Sequence, residues 1–140
     1  MKILKISITV LVCLILFTSC TKSIDGDIEK EYIERIDKGN YLITYYKGEP
    51  FTGEIFRNYD NGQLKAKINY TDGKYDGLSE GYYKNGQLKS KRYWKDGKLD
   101  GLEEGYYKNG QLGFKGYWKD GKKDGPLVYY NEDGSERWRE

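Results

Sequence analysis

The sequence predicts an all-β fold: a repetitive antiparallel β-hairpin meander forming a single elongated, twisted sheet. Three observations carry that expectation. Residues 78–101 and 102–125 are identical at 19 of 24 positions, and 54–77 matches the first of those windows at 12 of 24; a fixed period of this length marks a repeat architecture. Each unit holds two turn dipeptides, Asn-Gly and Asp-Gly, which suit the positive backbone angles of tight type I′ hairpins. The runs between them, rich in Tyr, Trp, Leu and Lys, lack helical spacing, so one period closes as strand, turn, strand, turn.

Residues 1–19 read as a signal peptide ahead of this array. Lys2 and Lys5 make a basic start, 6–17 an apolar run and Thr18-Ser19 a small-residue exit. The apolar run is short for a membrane span. Phe17-Thr18-Ser19-Cys20 resembles the lipobox of bacterial lipoproteins, which implies cleavage before Cys20 and acylation of its thiol. The alternative is an ordinary signal peptide with an incidental cysteine; the lipoprotein reading is preferred. It places the protein in a bacterial cell envelope, with the choice between outer and cytoplasmic membrane left open. Cys13 falls inside the leader, so the mature part would keep no free thiol and no disulfide. Several acyl chains on one cysteine would hold firmly where a single chain is marginal. The formal charge of +2 falls to zero once Lys2 and Lys5 leave, which gives no warrant for a nucleic-acid partner.

Residues 20–40 read as a lipid-anchored tether with room for a short first element. Ile28, Tyr32 and Ile36 have helical spacing with Gly39 as a stop, yet 32–36 ahead of Asp37-Lys38-Gly39-Asn40 could equally open a hairpin. An extended tether and a first strand are preferred.

Residues 41–140 are the β-repeat domain. It opens on a strand at 41–47, after which Tyr46, Pro50 and Gly53 keep the phase of a degraded unit. In the regular part, two-residue turns set the register. Tyr83 then faces Leu88, Gly81 faces Ser90, Glu80 faces Lys91, Gly105 faces Phe114, Glu104 faces Lys115, Gly101 faces Trp118, Trp94 faces Leu99 and Lys89 faces Glu104. Opposite charges meet, and glycines lie across from aromatic rings able to cover bare backbone. Alternation separates a face with Leu64, Ala66, Ile68, Tyr70, Leu88, Ser90, Arg92 and Trp94 from one with tyrosines among lysines and glutamates. Near the end, Pro126 replaces Leu102 of the previous unit, where no ladder bond is lost. The short last strand carries Arg137 and Arg139, charges that discourage edge pairing.

Gly-Gln-Leu-Lys at 86–89, Tyr-Trp-Lys-Asp-Gly-Lys-Leu-Asp-Gly-Leu at 93–102 and Tyr-Tyr-Lys-Asn-Gly at 106–110 resemble the bacterial variant of the MORN repeat over residues 41–140. The resemblance implies a β-hairpin array. Relatives of this make include antitoxins of toxin–antitoxin systems, and other MORN proteins are linked to membrane attachment, lipid binding or scaffolding. The family brings no shared catalytic motif.

The chemistry read from the residues points to binding. No histidine occurs, and no cysteine would remain beyond the anchor, so the usual general base and thiol nucleophile are missing. Glu103 and Glu104 are neighbours, but strand geometry sends them to opposite faces. The Asp-Gly-Lys-Lys-Asp-Gly stretch lacks the alternating oxygen ligands of a calcium loop. The expectation is therefore a non-enzymatic module without cofactor or metal. Its candidate binding residues are Tyr82, Tyr93, Tyr106, Tyr117 and Tyr130 with Lys89, Lys91 and Lys115. Strand spacing puts equivalent residues of successive units about 10 Å apart, near the repeat of a stretched polymer. The expected partners are a membrane reached through the lipid anchor and a protein, glycan or anionic lipid ligand. A toxin is the partner in an alternative, antitoxin-like or immunity-like reading.

Overall fold

In the computed structural model the described residues are 23–25, 33–37 and 42–140, and they form strands and turns without a helix. The leader, Cys20 and much of the expected tether lie outside the described residues. The strands are β1 (Ser23–Asp25), β2 (Ile33–Asp37), β3 (Leu42–Tyr46), β4 (Glu49–Pro50), β5 (Gly53–Asn58), β6 (Leu64–Thr71), β7 (Lys74–Tyr82), β8 (Leu88–Lys95), β9 (Lys98–Tyr106), β10 (Leu112–Lys119), β11 (Lys122–Lys123), β12 (Val128–Tyr130) and β13 (Glu136–Arg139). One large sheet runs in the order β1-β5-β6-β7-β8-β9-β10-β12-β13, with β11 paired to β10. From β5 onward every pairing is antiparallel, as the turn spacing predicts.

The N-terminal part adds what the repeat alone does not predict. The first strand expected over 32–36 is β2, a hairpin partner for β3, and a further strand, β1, joins β5 in parallel. A separate three-stranded sheet, β2-β3-β4, results. It is docked by backbone: the Thr44 amide donates to the Gly73 carbonyl at 2.7 Å and the Gly73 amide to the Phe51 carbonyl at 2.8 Å. Between the two sheets lies the core of Ile24, Tyr46, Phe51, Ile55 and Tyr70, with Ile33, Ile68 and Tyr75 packed against it. Ile55 is 0% exposed, whereas β7 is only half-buried along its whole length. Two layers exclude water where one cannot.

The two turn dipeptides fold differently. At Asp96-Gly97 both residues have positive φ, 50° and 82°, and Lys95 pairs with Lys98, which is the two-residue type I′ hairpin expected. Asp72-Gly73 and Asp120-Gly121 repeat it. At Asn85-Gly86 only Gly86 is left-handed, at 84°; its amide donates to the Tyr83 carbonyl and the Tyr83 amide to the Gln87 carbonyl. The Asn85 side-chain oxygen accepts from the Gln87 amide at 3.2 Å, so the asparagine holds the turn with ordinary backbone angles and the glycine forms a bulge. Leu88 therefore pairs with Tyr82, not Tyr83.

A second correction arises at Gly101. Between the Arg92–Glu103 and Trp94–Leu99 pairs, β8 spends one residue and β9 three, and Gly101 takes φ 125°. Glu104 therefore faces Lys91 rather than Lys89. Gly53, Gly77 and Gly125, each 24 residues from the next in phase, are left-handed too. The remaining expected pairs hold: Gly81–Ser90, Glu80–Lys91, Gly105–Phe114, Glu104–Lys115, Gly101–Trp118 and Trp94–Leu99.

The turn glycines make a direct test. Gly110, at φ 87°, replaced by Val puts a β-branched residue in the left-handed region and should destabilise by about 1–3 kcal/mol. Lys108→Gln in the same exposed turn should change stability by less than about 0.5 kcal/mol. Urea midpoints of the two variants decide it, and equal midpoints would refute the bulged turn.

Candidate functional site

The tyrosines of the hairpin turns serve two different purposes. The Tyr two residues before each Asn-Gly pair, Tyr59, Tyr83 and Tyr107, reaches across to the next repeat. The Tyr59 hydroxyl donates to the Tyr82 carbonyl at 2.7 Å, Tyr83 to Tyr106 at 2.7 Å and Tyr107 to Tyr130 at 2.8 Å. Beside them the Asn85 amide donates to the Lys108 carbonyl and Asn109 to Glu132. At the other end of the strands, the amides of Gly97 and Gly121 donate to the carbonyls of Tyr75 and Leu99. Each hairpin is thus tied to its neighbour at both ends, which holds the rings at the turn edge in place.

Those rings wall a groove of about 560 Å³. Its floor is a cross-strand row, Ala66–Gly81–Ser90–Gly105, in which each residue lies opposite the next. The row continues into Phe114, Tyr129 and Trp138. Phe114 lies over Gly105 so closely that a Cβ there would collide with its ring, and Trp138 stacks on Tyr129 at 4.5 Å between centroids. Small residues make the floor because large ones close it. Lys65, Lys89 and Arg92 supply the charge: Lys89 Nζ sits 5.7 Å from the Tyr83 ring and Lys65 Nζ 5.6 Å from Tyr59, cation–π distances that leave the ammonium groups at the rim. Arg92 Nε donates to the buried Glu103 carboxylate at 2.6 Å, which orients the guanidinium.

Most of the residues singled out from sequence gather along one charge row rather than over the groove floor. Tyr82, Tyr106 and Lys89 border the groove; Tyr93, Tyr117, Tyr130, Lys91 and Lys115 do not. Lys91 and Lys115 belong to a charge row on the opposite face, Lys67–Glu80–Lys91–Glu104–Lys115, each facing the next. Tyr117 is 53% exposed on that face and Tyr93 is also exposed, with Lys91 Nζ 5.6 Å from its ring; Lys115 Nζ lies 5.8 Å from Tyr130. Tyr82 donates its proton to Glu80 at 3.0 Å. The Tyr106 hydroxyl is pushed up to about 12, first by burial and then by its hydrogen bond to Glu104. Among the described residues no cluster of three or more His, Cys, Asp or Glu is placed to hold a metal ion.

Sequence reasoning passed over Tyr59, Tyr83, Tyr107, Ser90, Arg92 and Phe114, although a signal for them was present. The two nearly identical repeats differ at 79/103, 89/113, 90/114, 92/116 and 99/123. Lys89, Ser90, Arg92, Gly113 and Phe114 all line the groove, and Glu103 holds Arg92. Three of the five divergent pairs, 89/113, 90/114 and 92/116, contribute to the groove lining, beside glycines and tyrosines common to both repeats. One divergence leaves a mark in the packing. Trp94 Nε1 donates to Ser79 Oγ at 2.8 Å, whereas Trp118, whose counterpart acceptor is Glu103, has a buried Nε1 with no partner.

Tyr83→Phe removes only the hydroxyl and leaves the half-buried Tyr106 carbonyl without that donor. The expected cost is about 1 kcal/mol in equilibrium unfolding, with the ring and the groove wall kept. Tyr117→Phe, on the exposed ring, should be neutral, and an equal loss in both would contradict the bridging role.

No curated protein and no solved structure matches this chain. The MORN repeat variant family matches residues 51–72, 75–96 and 99–120. Each matched window begins 24 residues after the last and runs through one Asn-Gly hairpin to the Asp that opens the following Asp-Gly turn. The chain therefore carries three consecutive MORN repeats of the variant type.

Proposed function

We propose that the repeat array is a non-catalytic binding or scaffolding module, held at a bacterial envelope membrane by acyl chains on Cys20. The observation that carries the binding half is the divergence between repeats: substitutions in an otherwise copied unit gather around one groove of about 560 Å³, a size suited to a small ligand or a short polymer segment. The turns bind each hairpin to the next, so the lining is preorganised and a ligand spends little free energy on ordering it. The anchor half rests on the basic, apolar and small-residue order of 1–19 ending at Cys20. A chain tethered in this way presents the groove at a surface, where a modest affinity is raised by local concentration.

Two measurements test the two halves separately. Cys20→Ala should leave a precursor-sized product and abolish incorporation of a fatty-acid analogue; undiminished labelling of that variant would remove the anchor. For the array, the full-length chain should retain an envelope component that Ser90→Tyr, which fills the groove floor, no longer retains at unchanged melting temperature. Identical retention by both would exclude the groove as the binding surface. Capture of one protein that is toxic to the host in the chain's absence would favour the antitoxin-like reading instead.

A further inference from the structure

The groove is electrostatically one-sided. Lys65, Lys89 and Arg92 line it, and among the described residues no Asp or Glu does, although the whole chain carries 24 basic and 22 acidic side chains. Glu103 is buried and takes the Arg92 Nε, so it positions the guanidinium rather than meeting a ligand, and Glu80 and Glu104 are engaged by the hydroxyls of Tyr82 and Tyr106. Charge complementarity therefore asks for an anion.

The hydrogen-bonding inventory narrows the class. The lining holds no Asn, Gln or carboxylate, and the hydroxyl protons of Tyr59, Tyr83 and Tyr107 are already given to backbone carbonyls. The floor strands spend their backbone groups on one another in the ladder, so strand addition is closed to an incoming peptide. A peptide laid here would bring amide N–H groups to a surface with few acceptors, and each left unmet would cost affinity. Sugar hydroxyls both donate and accept, so the Ser90 hydroxyl and the tyrosine oxygens can serve them. The open floor of Ala66, Gly81 and Ser90 is short-chained and flanked by fixed aromatic faces, with the Phe114 ring over Gly105 at its end, and its three strands extend about 10 Å. That suits a short run of pyranose rings.

We propose that this groove binds a segment of an acidic polysaccharide. Its rings lie along Ala66, Gly81 and Ser90 against Tyr59, Tyr83 and Tyr107, with the Phe114 ring over Gly105 closing one end, and its carboxylates meet Lys65, Lys89 and Arg92. The proposal rests on the reading of the array as a binding module and names its ligand.

The test is calorimetric titration of the full-length chain, purified in detergent, with four probes: trigalacturonate, neutral maltotriose, a tetraglutamate peptide and phosphatidylglycerol vesicles. Trigalacturonate should bind saturably and weaken as salt rises, because the cations sit at a solvated rim. Lys89→Glu should weaken it at least tenfold, and Ser90→Tyr should abolish it. Lys108→Glu, the same charge change outside the groove, should leave it unaltered, with melting temperatures of the two lysine variants equal to wild type. Any one of four results overturns the proposal: no saturable binding by the folded chain, equal binding of maltotriose, preference for the peptide or for vesicles that Ser90→Tyr abolishes, or uronate binding that survives Ser90→Tyr. An envelope component held by the wild type and lost in Ser90→Tyr, with no uronate bound, removes this ligand and leaves the binding module standing.

Discussion

A sheet one layer thick has no interior, and this constraint shapes the rest of the molecule. Over β7 to β10 most side chains are half-buried, and the largest apolar cluster lies where the small sheet covers the large one. Hydrophobic burial scales with area removed from water, so an uncovered sheet gains little from it. The chain answers with tyrosine: a ring that covers backbone and a hydroxyl that reaches a carbonyl one repeat away. Aromatic contacts then run continuously from Tyr46 through Phe51, Tyr70 and Tyr75 to Trp94. Stability accumulates from neighbour to neighbour, as expected of a solenoid-like array.

The same economy separates scaffold from function. Turn glycines, bulge glycines and the bridging tyrosines recur every 24 residues because the backbone path requires them. Gly73 shows how tightly the path is drawn: it is left-handed, and a Cβ there would lie 2.7 Å from the Thr44 carbonyl oxygen. Positions pointing away from these tasks are free to differ between copies, and on one face they form the groove. Its small floor residues and its cationic rim are a local departure from a repeated plan. On the opposite face the plan is kept, with lysine and glutamate alternating strand by strand. These facing charges are half-buried and hold the register, since a slipped pairing would juxtapose like charges.

Much of this was legible in the sequence, and the failures have a common cause. Period, strand order, the Asp-Gly hairpins and most cross-strand pairs followed from local rules, because turn chemistry and alternation act within a few residues. The Asn-Gly turns departed because Asn85 uses its side chain on the Gln87 amide instead of adopting a positive φ. The Lys89–Glu104 pairing departed because a bulge at Gly101 shifts the ladder. In both, one side chain or one glycine changed the count by a residue or two, and alternation carried the shift along the strand.

The sequence by itself determined the all-β class, the 24-residue unit, the strand order and the division into an apolar and a charged face, since each follows from spacing along the chain. Only the tertiary structure decided that β1 joins β5 in parallel, that a small separate sheet covers the core, that Tyr59, Tyr83 and Tyr107 bridge repeats, and that Ser90 and Arg92 open a groove. These depend on contacts between residues 11 to 31 positions apart in the chain, such as Arg92 with Glu103 and β1 with β5. No local pattern encodes which of two equivalent tyrosines turns inward; that is settled by which carbonyl lies within reach once the neighbouring hairpin is in place.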